Sequence, residues 1–198
     1  MARVAVLSLV HTKGGVAKTT SSLFLAAAAD QRDMSVAVID ADPQGSASEW
    51  AHDAAAGGSA LPFPVWTWAG AATHLATGGP MLTVVDTPPG TAHVIQEAIE
   101  VADLVVVPSG ASPLDVRRVW PTLQITAHRP TAVLLTAVDM RTRLADEVRA
   151  LLEDEGVPVV KTPILRREAI RRAYGTTPTY LYGYDDVLSE LWEAIAND

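Results

Sequence analysis

Short apolar runs alternate along this chain with longer stretches of helical spacing. The runs at 4–10, 36–39, 82–85, 104–107 and 133–135 are β-branched or apolar at nearly every position and too short for helices. Such unbroken runs are the mark of strands buried on both faces of a parallel sheet. Between them, 19–31, 94–101, 114–128, 144–155, 167–174 and 187–195 place apolar residues at helical intervals. Asp115 and Asp185 stand near amino ends, where a side-chain acceptor caps a helix, and Gly156 lies just past a carboxyl end. The run of alanines at 26–29 reads as helix interior, Ala being the strongest helix former. This alternation predicts a doubly wound, mostly parallel α/β sheet with helices on both faces. Segment 51–80 is the least regular, rich in Ala and Gly with Pro62, Pro64 and Pro80. The expectation there is a surface loop around one edge strand at 65–68, without a domain boundary, so that residues 1–198 make one domain.

Composition narrows the chemistry. The 198 residues are 48% hydrophobic and contain no cysteine. That excludes a disulfide framework, a thiolate zinc site, an iron–sulfur cluster and a cysteine nucleophile, and it fits a reducing, cytoplasmic setting. His11 and Lys13 interrupt the first apolar run before it reaches the roughly 18 residues that a membrane span needs. The net charge of −8 is segregated: residues 1–100 carry −5, residues 101–182 carry +2 and residues 183–198 carry −5. An anionic partner is therefore expected to meet the later half of the chain.

The strongest chemical signal follows the first strand, in Lys13-Gly14-Gly15-Val16-Ala17-Lys18-Thr19-Thr20. Small residues let successive backbone N–H groups converge on a phosphate, and the helix that follows presents its positive end. Lys18 fits the lysine that reaches the terminal phosphates, and Thr19 fits the hydroxyl that ligates magnesium. The usual phosphate loop has Gly where this chain has Thr12 and Ala17. Ala17 is tolerable if that position only begins the helix and needs no positive φ, while Gly14 and Gly15 stand where the loop must turn.

With its second lysine, this octapeptide resembles the deviant Walker A motif of the ParA/MinD group of ATPases. Asp40-Ala41-Asp42-Pro43-Gln44-Gly45 is similar to the second motif of ParA proteins, and Val84-Val85-Asp86-Thr87-Pro88-Pro89-Gly90 to their Walker B-like motif. Ser112-Pro113-Leu114-Asp115 and the run from Leu134 to Thr142 extend the resemblance over most of the chain. It is to the small ParA type that lacks an amino-terminal DNA-binding extension, since the first strand opens within a few residues of Met1.

The resemblance implies an ATP-dependent homodimer with two nucleotides sandwiched between subunits and Mg2+ as the metal. Lys13 would cross to the partner's nucleotide, Lys18 would hold the β- and γ-phosphates, and Gly14 to Thr20 would form the cradle. Thr19 and Asp86 would hold the ion, Asp42 would match the water-activating aspartate, and Asp40 would support the loop or the metal. It also implies positioning of a plasmid or chromosome, with a ParB-like centromere-bound adaptor stimulating hydrolysis on nucleoid DNA.

Lys161, Arg166, Arg167, Arg171 and Arg172 lie within twelve residues, opposed only by Glu168. Glu168 precedes Arg172 by four, the spacing of a helical ion pair. A solvated helix face is the plain reading; nonspecific binding to DNA phosphates is the functional one. The resemblance makes Arg166 the first DNA contact, with Arg167, Arg171 and Arg172 after it. Trp50, Trp66, Trp68, Trp120 and Trp192 are expected as core or interface anchors, and His11, His52, His74, His93 and His128, which lack metal-like spacing, as scattered or packed residues. Asp139 or the 162–165 loop is placed near the adenine.

Two other functions share the loop. A MinD-like membrane ATPase needs a basic amphipathic tail, whereas 185–198 carries five acids and no Lys or Arg, and an anionic bilayer would repel it. Its apolar spacing suggests packing against the domain. An ATP-dependent metabolic synthetase on the same fold is the second alternative.

Overall fold

The structure, a computed structural model, describes residues 4–69 and 79–197. Among them, β1 (Ala5–Leu9), β2 (Val36–Asp40), β3 (Val65–Thr67), β4 (Leu82–Asp86), β5 (Leu104–Ser109) and β6 (Thr131–Leu135) form one sheet in the order β3-β2-β4-β1-β5-β6. Every pairing is parallel. The helices are α1 (Lys18–Asp30), α2 (Ser46–Ala56), α3 (Ala92–Glu100), α4 (Pro113–Thr126), α5 (Leu144–Asp154), α6 (Glu168–Arg172) and α7 (Tyr184–Asn197).

The apolar runs fail to alternate because both faces of the central strands are covered. Every residue of β2, β4 and β5 is buried. Along β5, Leu104 and Val106 enter the cluster beneath α1 and α7, while Val105 and Val107 pack on the opposite face with Ile95, Ile99, Val119 and Leu152. That is the two-residue period of a strand, with apolar side chains on each beat. In α1 the residues from Ser21 to Ala29 are all buried. A helix apolar all round must be covered on its outer side too, and α7 supplies the cover through Tyr184, Val187, Leu188, Leu191 and Ile195. The acidic tail thus packs on the domain as its spacing implied.

The expected loop over 51–80 is corrected in part. Its first residues complete α2, which begins after Gly45 in the left-handed region (φ 69°) and buries Ala47, Trp50 and Ala54. Those positions are three and seven apart, a helical spacing that the alanines and glycines beyond it obscured. The edge strand lies where expected, at β3; residues 70–78 are outside the described residues. Helix α6 is shorter than the expected 167–174 and gives way to Gly175 with φ 69°.

Strand register assembles the site. Leu9 lies opposite Asp86, and Asp86 opposite Asp40. The loop after β1 and two carboxylates therefore share the carboxyl edge of the sheet, near where the chain switches direction of winding around β1, the usual place for a ligand in an open α/β sheet.

Candidate nucleotide site

The loop between β1 and α1 is built on backbone contacts. Gly15 has φ 75°, as its turning role required. Ala17, expected to need no positive φ, adopts φ 69° and ψ 28° as the residue before α1. This is the left-handed region, where a Cβ costs about 1–2 kcal/mol, so the substituted position carries strain. No side chain caps α1, leaving the first N–H groups and the positive end of the helix toward the loop. Lys18 is 7% exposed, and its Nζ donates to the carbonyls of His11 at 3.3 Å and Lys13 at 3.1 Å. Burial lowers its pKa, opposed by Asp86 and Asp42.

Two cavities flank this loop. Gly14, Gly15, Ala17, Lys18, Thr19 and Thr20 line the first, of about 320 Å³, with Asp42, Thr87, Trp50 and Tyr174 opposite. The second, of about 380 Å³, is bounded by Lys13, Gly15, Val16 and Ala17, by Asp115, and by Thr136, Asp139 and Arg166. Six of the seven expected cradle residues are thus brought together with Asp42, while Val16 and Asp139 lie on the second cavity; residues 162–165 line neither.

Asp86 is fully buried beneath the loop, and neither of its oxygens has a hydrogen-bond partner among the described residues. Burial pushes its pKa up to about 7; Thr19 moderates the rise without completing a hydrogen bond, Asp40 and Asp42 add to it, and Lys18 opposes it. An unpaired buried carboxylate is costly, and either a proton or a hard divalent cation held by oxygen ligands would relieve it. Asp40 differs. Its Oδ1 accepts from Asp42 N at 3.2 Å and its Oδ2 from Ser48 N at 2.8 Å and Ser48 Oγ at 2.7 Å. With both oxygens engaged, it supports the 40–48 loop and offers little to a metal. Asp42 accepts from Gln44 N at 2.9 Å and is half-buried on the first cavity.

Lys13 points to the second cavity, where its Nζ lies 3.3 Å from Asp115 Oδ1. Burial raises the Asp115 pKa, but Ser112 Oγ, donating at 2.6 Å, and Lys13 together hold it below the usual range. The four arginines are all exposed. Arg166 N donates to Val138 O at 2.8 Å, and Arg166 and Arg167 share a groove with Arg141. Arg171 and Arg172 follow on α6, and Arg172 pairs with Glu168 at 2.6 Å, as their spacing implied. Arg141 escaped the sequence reading although it falls within the motif from Leu134 to Thr142. It hydrogen-bonds Asp139 through two nitrogens, at 2.9 and 2.6 Å, and holds that carboxyl well below the usual range.

Trp50 is buried, donates to Thr176 O at 2.8 Å and meets Phe24 edge-to-face and Tyr174 at a tilt; Trp66, Trp68, Trp120 and Trp192 pack against the apolar clusters. His52 and His93 are exposed, His128 meets Glu100 at 3.0 Å, and His74 lies outside the described residues. No group of three or more metal-ligating His, Cys, Asp or Glu occurs among the described residues. His11 is of the packed kind, buried in the loop between β1 and α1.

A strand–loop–helix phosphate cradle at the centre of a parallel sheet defines a P-loop nucleotide-binding protein. Residues 7–178 match the CobQ/CobB/MinD/ParA nucleotide binding domain, and the chain belongs to that family. It is 36% identical over 179 residues to the "Maintenance of carboxysome distribution protein A" of Gloeobacter kilaueensis, covering 85% of this chain and 80% of that one. Its fold matches the Pyrococcus furiosus cell division ATPase MinD with a TM-score of 0.74 at 16% identity, over 98% of this chain and 100% of that one. It also matches cobyrinic acid a,c-diamide synthase from Mycobacterium smegmatis with bound ATP analogue and magnesium, with a TM-score of 0.70 at 20% identity over 96% of each chain.

Proposed function

We propose that this chain is a ParA-type positioning ATPase, folded as one domain, that dimerises on ATP, binds DNA nonspecifically and releases it after hydrolysis. The observation that carries the reading is the pairing of two lysines on one loop with a buried, unpartnered carboxylate below it. Lys18 holds the β- and γ-phosphates against the N–H groups of residues 14–20, and the base occupies the cavity beside Asp139. Thr19 and Asp86 hold Mg2+, which neutralises phosphate charge when bound. Asp42 orients the attacking water from the facing wall. Lys13 leaves Asp115 and crosses to the partner's nucleotide, where a second cation stabilises the charge that develops on the transferred phosphoryl group.

Arg166 leads the DNA contacts, with Arg167, Arg171 and Arg172 contributing, and the dimer doubles whatever one subunit supplies. The cargo is a large cellular assembly: the Gloeobacter relative's name supports an organelle-positioning role, and the motif resemblance supports a plasmid or chromosome served through a ParB-like adaptor. The protein would then act in the cytoplasm, on the nucleoid. One feature disfavours the MinD-like alternative: α7, the acidic tail helix, buries its apolar face in the core and leaves none for a bilayer surface. The synthetase alternative predicts turnover tied to a small acceptor.

Sizing and DNA retention with ADP, ATP or a slowly hydrolysed analogue test the reading. Lys13→Ala is expected to lose ATP-dependent dimerisation, and Arg166→Ala to dimerise yet hold DNA weakly. Equal DNA retention in ADP and ATP would defeat the proposal.

A further inference from the structure

His11 sits at the root of the phosphate loop, 1% exposed, and one residue ties down both lysines. Its ring Nδ1 accepts the backbone N–H of Lys13 at 2.9 Å, and its carbonyl accepts Lys18 Nζ at 3.3 Å. The ring contact closes a turn across two residues, as Asn and Asp side chains do when they accept the N–H two residues on. An accepting Nδ1 places the proton on Nε2 and requires a neutral ring. Burial and the neighbouring charges of Lys18 and Lys13 favour that form, lowering the pKa to about 4 against the weaker pull of Asp115.

We propose that His11 is a positioning residue of the ATPase cycle, whose ring fixes the Lys13 backbone so that this side chain leaves the loop toward Asp115 and, in the dimer, toward the partner's nucleotide. The inference rests on the reading of Lys13 given above and adds the group that aims it. The two contacts separate by chemistry. Replacing the ring removes only the Lys13 contact, because the carbonyl that holds Lys18 belongs to the backbone. Binding of a nucleotide within one subunit should therefore survive, while steps that need Lys13 should suffer.

The test compares His11→Leu, which cannot accept, with His11→Asn, which can, alongside Lys13→Ala and the Lys13→Ala/His11→Leu double variant. His11→Leu is expected to lower kcat and analogue-driven dimerisation by about tenfold, with ADP affinity changed by less than about twofold. His11→Asn should recover most of that loss, and the double variant should be no worse than Lys13→Ala alone, since both act through one side chain. An NMR measurement of exchange at the Lys13 amide, slow in wild type and His11→Asn and fast in His11→Leu, follows the bond itself in folded protein. If His11→Leu does not fold, slow Lys13 exchange and near-normal kcat in His11→Asn support the inference, and their loss overturns it. Equal impairment of the folded Leu and Asn variants, or additive losses in the double variant, would overturn it as well. Normal activity in His11→Leu beside an impaired Lys13→Ala would sink this inference alone; a Lys13→Ala protein that dimerises normally would instead sink the reading on which it rests.

Discussion

At the scale of single residues, the phosphate loop trades stability for geometry. Ala17 holds a left-handed conformation with a Cβ in place, so Ala17→Gly should remove strain and stabilise the nucleotide-free chain by about 1 kcal/mol, the gain in Gly strain relief exceeding its extra unfolded-state entropy. Chemical denaturation checks this, and an unchanged midpoint would mean that the loop relaxes around the alanine. His11 imposes a pH dependence. Its folded pKa of about 4 lies below the ordinary imidazole value of 6.5, so the unfolded chain binds more protons between those values. Stability from this group is in place above about pH 6.5 and is lost as pH falls through 4, by an amount on the order of 3 kcal/mol. His11→Asn should flatten that part of the stability profile while leaving the carboxylate-driven loss at lower pH. The Ala17 backbone was the one feature of the loop that residue spacing misread: a phosphate-loop motif specifies side chains and small residues, and an alanine at a glycine position hides a φ angle that only tertiary closure of the loop imposes.

Secondary elements were legible to the degree that burial gave them a pattern. Strands buried on both faces announced themselves as unbroken apolar runs and α7 as a helix packed on the domain, whereas its pairing with α1 left no mark in the spacing of either stretch. Helix α2 was lost because its buried positions, Ala47, Trp50 and Ala54, are mostly alanines in a region of alanines and glycines, where small side chains give weak contrast between faces. The loop that leads to Arg166 depends on a contact no periodicity reports. Glu190 of α7 accepts from Lys161 N at 2.6 Å, from Thr162 N at 2.9 Å and from Thr162 Oγ1 at 2.7 Å. That carboxylate pins the segment that continues to the bridge between Leu165 and Val138. Glu190→Ala leaves backbone donors unpaired and is expected to cost about 2 kcal/mol in thermal or chemical unfolding. Glu190→Gln, which keeps one acceptor but opposes an NH2 group to a backbone N–H, should fall between wild type and Ala. Equal stability of all three would show that solvent replaces the carboxylate without penalty.

Across the whole molecule, charge limits how a protein of net −8 would hold DNA in the proposed cycle. Most of its surface repels a polyanion, so binding must come from one face and must be multiplied to be useful. Arg166, Arg167 and Arg171 are exposed, whereas Arg172 is partly neutralised by Glu168 at 2.6 Å. If each of those three exposed arginines met one phosphate, a monomer would release about three counterions and a dimer about six, giving slopes of log affinity against log salt near −3 and −5. Between about 50 and 200 mM salt the dimer would then lose roughly a thousandfold in affinity and the monomer less than a hundredfold. Anisotropy titrations of a labelled duplex with the ADP form and with the analogue-bound form measure both slopes. Arg166→Ala should lower the dimer's slope by about 2, one phosphate from each subunit, without altering its dimerisation. Mixed-sequence and AT-rich duplexes should give the same slopes, because arginines that meet only phosphates carry no base readout. A slope that does not steepen when ATP or its analogue replaces ADP would mean that the second subunit adds no phosphate contacts, and nucleotide would then have to control DNA binding inside a single subunit, through the wall of the second cavity that Arg166 shares with Asp139.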